Sequence, residues 1–125
     1  MKKPIVTDEA PAAVGAYSQG IISDNAIYVS GQLPLNPKTG VMADDITSQA
    51  TQALDNVKAI LNAAGSSMDR VLKATVLLSD ISDFQEVNKV YETYFTEPYP
   101  ARACFAAAAL PKGAKVEIEV IAEPA

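Results

Sequence analysis

Residues 100–122 read PARACFAAAALPKGAKVEIEVIA, and the way these residues pair decides the fold. Two extended runs of small and branched residues flank Leu110-Pro111-Lys112-Gly113, a turn signal, so the stretch predicts a terminal hairpin. Arg102, Cys104 and Glu117 are its only groups with chemistry that such a hairpin would not need for folding. If the turn pairs Ala109 with Val116, Arg102 lies opposite Glu123, and Arg102, Cys104 and Glu117 share one face. Six residues at about 3.3 Å each still separate Arg102 from Glu117 by roughly 20 Å along the ladder. The two side chains could then meet one small molecule only across a boundary between subunits of a symmetric oligomer.

Working outward from this stretch, the upstream chain reads as scaffold. Residues 4–16, rich in Pro, Ala and Gly, predict an irregular or short-strand wrap. Residues 17–22 and 26–30 predict two strands joined by Ser23-Asp24-Asn25, with Gly31 at a bulge or a close backbone approach. From Ile46 the period changes: Ile46, Ala50, Leu54, Val57, Leu61 and Ala64 fall on one helix face. Asp44 or Asp45 suits its N-cap and Gly65 its left-handed C-terminal cap. Residues 69–78 predict a strand, Ser82 and Gln85 a capping box, and Phe84, Val87, Tyr91 and Tyr94/Phe95 the buried stripe of a second helix stopped by Pro98. The order ββ-α-β-α-ββ in one domain, 1–125, packs naturally as an α+β sandwich with two helices on one face of a mixed sheet.

Composition removes several function classes. Of 125 residues 49% are hydrophobic, which supports a real core. Ten basic residues scattered among fifteen acidic ones give net charge -5, so no nucleic-acid partner is expected. No apolar run approaches the ~20 residues a membrane helix needs, and acids interrupt the N-terminus before a secretion signal could form. One cysteine cannot form an internal disulfide, which fits the cytoplasm. The chain has no histidine. That excludes Ser-His-Asp and Cys-His catalysis, and a zinc site would have to rely on carboxylates and one thiolate.

Weighed residue by residue, composition alone points to Arg102 as a surface arginine paired with one of the fifteen acids. The alternative is a guanidinium fork for a substrate carboxylate, with room left by the neighbouring alanines. Cys104 reads as a small buried hydrophobe whose backbone could orient water. Tyr17, Ser30 and Gly31 cluster on one predicted hairpin, which allows them a ligand-facing role.

Taken together, Pro100-Ala101-Arg102-x-Cys104, Leu110-Pro111-Lys112-Gly113 and Val116-Glu117-Ile118-Glu119 resemble the signature of the RidA (YjgF-like) family. Gly15-x-Tyr17-Ser18-Gln19-Gly20, Ser30-Gly31-Gln32-Leu33-Pro34, Asn36-Pro37-Lys38-Thr39-Gly40, Leu54-Asp55-Asn56-Val57 and Phe84-x-x-Val87-Asn88 extend the resemblance over nearly the whole chain. Ala106 departs from it, standing where many members have Glu. The resemblance implies a chorismate-mutase-like fold, a homotrimer with sites at subunit interfaces, and a role in metabolite damage control. It also implies hydrolysis of 2-iminopropanoate and 2-iminobutanoate, derived from enamines that PLP-dependent dehydratases release, to 2-oxo acids and ammonia, with no metal and no cofactor. By position, Arg102 would hold the substrate carboxylate and Glu117 the attacking water, aided by the Cys104 backbone. Tyr17, Ser30, Gly31 and Asn88 would line the cleft. Other relatives suggest two alternatives, a small-ligand binder or chaperone-like protein and an RNA-cleaving translation inhibitor.

Overall fold

Three short strands open the chain, β1 (Lys3–Ile5), β2 (Gly20–Ile22) and β3 (Ile27–Gln32), in a computed structural model that describes all of residues 1–125. The helix α1 (Ile46–Ala63), the strand β4 (Val71–Leu78) and the helix α2 (Phe84–Tyr94) follow, then β5 (Ala101–Ala106) and β6 (Val116–Ala122). The six strands make one mixed sheet in the order β1-β2-β3-β6-β4-β5. Only the β4–β5 pair is parallel. The result is the expected α+β arrangement.

The predicted terminal hairpin does not form. β5 pairs in parallel with the outer edge of β4, while β6 inserts antiparallel between β4 and β3. The physical reason lies in the β4-α2-β5 unit, because a helix between two strands returns the chain for parallel pairing. With β5 placed by that crossover, residues 107–115 must pass over the end of β4. Ala107 N–H donates to the Leu78 carbonyl at 2.8 Å, and Ser79 N–H donates to the Lys115 carbonyl at 3.0 Å, which ties the crossing loop to β4. Lys112 and Gly113 complete the turn with φ of +60° and +69°.

The core lies between the sheet and the helices. Val29, Ala74, Val76, Leu78, Val116, Ile118 and Val120 meet Leu54, Val57, Ile60, Leu61, Val87 and Tyr91 in one buried cluster. By the two-residue alternation of a strand, Tyr28, Thr75, Leu77, Phe105 and Ile121 leave the opposite face. That face carries no helix, and Tyr28 and Phe105 are exposed on it. No helix is long and apolar enough to cross a membrane.

The ends of α1 follow their sequence signals: Asp45 accepts from Ser48 N–H at 2.9 Å, and Gly65 adopts φ +77° just beyond the last turn. The expected Ser82–Gln85 capping box is absent. The Ser82 hydroxyl instead donates to Asp80, whose carboxylate also accepts from Ser82 N–H, and this caps a short 3-10 turn, Ile81–Asp83, ahead of α2.

The buried face of α1 also carries two carboxamides. Asn56 Nδ2 donates to the Leu33 and Leu35 carbonyls, both at 3.0 Å, and Gln49 links the Ala43 carbonyl to Lys115 N–H. Gln19, buried beside β2, bonds both backbone polar groups of Thr7 and the carbonyls of Ala10 and Pro11. These three amides serve loop backbone groups that no strand reaches, and burial without such partners would be costly. Asn56→Ala leaves the two loop carbonyls unserved. It should lower stability by about 2–4 kcal/mol in urea unfolding, at an unchanged slope, whereas Asp55, exposed beside it, should tolerate Ala within about 1 kcal/mol.

Candidate active site

Arg102 emerges from β5 opposite Ala74 of β4 and therefore on the helix side of the sheet. There α2 presents Phe84, Asn88 and Tyr91, at i, i+4 and i+7 on one face. The guanidinium donates to Asn88 Oδ1 at 2.7 Å and lies over two rings, 4.7 Å from the Tyr91 centroid and 5.4 Å from that of Phe84. Asn88 Nδ2 in turn donates to Glu92 at 3.1 Å. Arg102 forms no ion pair: the chain's only salt bridge joins Lys89 to Glu86. The surface pairing that composition favoured is thus absent, and most of the guanidinium's five N–H donors stay available. The cleft around it, about 370 Å³, is lined by Asn88, Tyr91, Glu92, Tyr99, Pro100 and Arg102.

Cys104 lies two residues along β5 on the same face, half-buried against the core, as expected. Burial pushes its thiol pKa up, and the positive charge of Arg102 only partly opposes this. A protonated thiol is a weak nucleophile, in keeping with a supporting role.

Glu117 belongs to a different neighbourhood. It pairs with Leu77, an odd number of positions from Ala74, and leaves the sheet on the face without helices. The expected common face for Arg102 and Glu117 is therefore not observed. The sheet lies between them, and their Cα atoms are roughly 14 Å apart, from three residues along β4 and two strand spacings across. Glu117 rests on β3, where the register shifts between Val29 and Gln32 at the predicted bulge. A Cβ at Gly31 would overlap Glu117 Oε2 and lie 2.9 Å from Cδ, so only glycine lets the carboxylate settle there. Burial, followed by the charge of Glu119, raises the Glu117 pKa above the ordinary glutamate range.

Ser30, next to Gly31 in β3, is tied down through the backbone of residues 18 and 19. The Ser30 hydroxyl donates to the Ser18 carbonyl at 2.6 Å and its N–H to the Gln19 carbonyl at 3.0 Å. Tyr17, next in the chain and exposed, accepts from Val14 N–H at 3.4 Å. The chain thus brings together Arg102, Asn88 and Cys104 on one side, and Glu117, Gly31 and Ser30 on the other, while the Tyr17 hydroxyl meets only the Val14 backbone. The packing reading of the sequence missed Phe84 and Tyr91 as partners of Arg102, because their spacing is equally that of a core stripe. Glu92 was missed too, although its i+4 offset from Asn88 was visible. A larger groove, about 540 Å³, runs between Thr7, Asp55 and Lys58, but it gathers no comparable set. No three His, Cys, Asp or Glu groups come together as a metal site.

The Endoribonuclease L-PSP family model matches residues 7–124. The chain belongs to this YjgF/RidA family. It is 51% identical over 125 residues to a 2-iminobutanoate/2-iminopropanoate deaminase of Escherichia coli K12, covering 98% of each chain. A deaminase of the same name from Rattus norvegicus is 50% identical over 123 residues, or 98% of this chain and 90% of the rat protein. Among solved structures, E. coli TdcF with bound serine superposes with a TM-score of 0.94 at 44% identity, covering 98% of this chain and 99% of that one. This solved relative thus has the same fold over nearly the whole chain.

The raised pKa of Glu117 has a direct consequence for stability. Between the ordinary glutamate pKa and the raised folded value, the folded state holds the proton more tightly, so ionising Glu117 erodes stability as pH rises. Glu117→Gln should therefore melt higher than the unaltered chain at pH 7, with the gap closing as pH falls below the ordinary glutamate range. A gap that persists at low pH in calorimetric melts would contradict this.

Proposed function

We propose that the chain is a 2-iminobutanoate/2-iminopropanoate deaminase, acting on imines that arise from enamines released by PLP-dependent dehydratases. The overall reaction adds water across C=N and releases ammonia: R–C(=NH)–COO⁻ + H₂O gives R–C(=O)–COO⁻ + NH₃. The observation that carries this reading is the unpaired Arg102 guanidinium, set in a cleft of a chain whose fifteen acids leave it free. The substrate's obligatory carboxylate fits that fork in two parallel hydrogen bonds. Serine, held in the structure of E. coli TdcF, has the same carboxylate beside a nitrogen-bearing carbon.

In this reading the substrate is anchored by Arg102, with Asn88 fixing the fork and the Cys104 backbone beside it. Glu117 holds the attacking water, takes one of its protons as the C–O bond forms and passes it to the imine nitrogen to give the carbinolamine. It then takes the hydroxyl proton as C=O forms and delivers it to nitrogen as the C–N bond breaks and ammonia leaves. A carboxylate with a raised pKa suits both halves of that transfer. Imines of 2-oxo acids need little more than orientation of water and carbonyl-like carbon, and orientation is what such a site provides.

Arg102 and Glu117 leave opposite faces of one sheet, so the site is completed by a neighbouring subunit. A homotrimer closed by three equivalent interfaces satisfies this, and the helix-free face with Tyr28, Leu77, Phe105 and Ile121 supplies apolar surface for packing. Tyr17, Ser30 and Gly31 then line the cleft from the Glu117 side. We assign the activity to the cytoplasm, in metabolite damage control, by a single domain spanning 1–125. RNA cleavage, carried in the family's name, sits poorly with a net charge of -5, since phosphate binding draws on clustered Lys and Arg.

The test couples a threonine or serine dehydratase to the protein and follows imine loss. Arg102→Ala should lower kcat/KM by about a hundredfold or more, the cost of an unmet substrate charge, while changing stability by under about 1 kcal/mol. Equal rates for Arg102→Ala and the unaltered protein would end the assignment.

A further inference from the structure

Arg102 sits at the outer edge of the sheet and is exposed, a setting in which an arginine ordinarily samples many rotamers. Here three side chains of α2 hold it, and none of the three is charged: the Asn88 amide oxygen and the faces of Phe84 and Tyr91. A carboxylate partner would also hold the fork, but it would occupy the N–H groups and neutralise the charge. Ring faces attract the cation through their quadrupole and leave its in-plane donors open. The rings flank Asn88 along one helix face, so the two contacts and the hydrogen bond form one cradle. Tyr91 serves through its ring, since its buried hydroxyl has no partner within the chain.

We propose that Phe84 and Tyr91 are positioning residues that fix the Arg102 guanidinium for the substrate carboxylate before the substrate arrives. The proposal rests on the deaminase reading and adds to it the origin of the fork's alignment. Half-buried Phe84 borders the core without filling its centre, so Phe84→Leu keeps apolar bulk while removing the ring.

Two quantities are measured on folded protein: KM for dehydratase-generated imine, and the dissociation constant of 2-oxobutanoate, a stable carboxylate probe, by calorimetry. Phe84→Leu should raise both by about three- to tenfold, with kcat changing less, and Phe84→Tyr should restore them. Tyr91→Leu and its rescue Tyr91→Phe form an independent second pair. A merely structural role would move melting temperature in step with KM and would show no rescue by the ring. If the unaltered protein turns over imine and Phe84→Leu matches it in KM and in 2-oxobutanoate affinity, the cradle is overturned and the deaminase reading stands. If the unaltered protein neither turns over imine nor binds 2-oxobutanoate, the deaminase reading falls and the proposal falls with it.

Discussion

The pairing of β4 with both of its neighbours is the constraint on which the rest depends. β5 runs parallel along one edge, setting Arg102 opposite Ala74, and β6 runs antiparallel along the other, setting Glu117 opposite Leu77. Ala74 and Leu77 are an odd number of positions apart, so their partners leave the pleat on opposite faces. One-residue slippage would reverse this, but it would also turn Val76, Leu78, Val116 and Ile118 out of the core. Burial of those side chains therefore holds the two charged groups apart more firmly than any contact between the groups themselves. Each group then acquires its own local support: aromatic faces and an amide for Arg102, a bare glycine backbone for Glu117.

Elements whose signals are local were legible in the sequence. The α1 stripe, the Asp45 cap, the left-handed Gly65 and the bulge at Gly31 each depend on neighbouring residues and were found where expected. The partnership of β5 and β6 depends instead on what β4 offers, and periodicity along the chain says nothing about that. The turn signal at Pro111-Lys112-Gly113 is real, yet it serves a loop passing over β4 instead of a hairpin. Ser82 failed as a helix cap because Asp80, two residues earlier, captures its hydroxyl and its N–H. The strand misreading chose the neighbour in sequence where the fold supplied another in space, and the Ser82 misreading looked forward to Gln85 where a nearer acid lies behind.

The candidate site was legible as a set of residue types more than as a geometry. Arg102, Asn88 and Cys104 fall on one side of the sheet and Glu117, Gly31 and Ser30 on the other, in two groups and not one. The inference that they must meet across subunits was reached from a mistaken register, through a separation along one ladder. The observed separation of Arg102 from Glu117 is through the sheet, three positions along β4 and on opposite faces. Polar side chains in the core showed the opposite difficulty. Asn56, Gln49 and Gln19 look like solvent-facing residues in a pattern reading, but each is buried because a loop backbone needs its amide.

Subunit complementation tests the central claim most directly, that Arg102 of one chain and Glu117 of another serve one substrate. Arg102→Ala and Glu117→Gln chains carrying different tags are co-assembled, mixed oligomers are purified through both tags, and imine hydrolysis is followed. Each homo-oligomer should be nearly inactive, whereas every mixed trimer should hold one intact site and recover about a third of the activity of the unaltered protein. Mixed oligomers as inactive as their two parents would contradict a shared site.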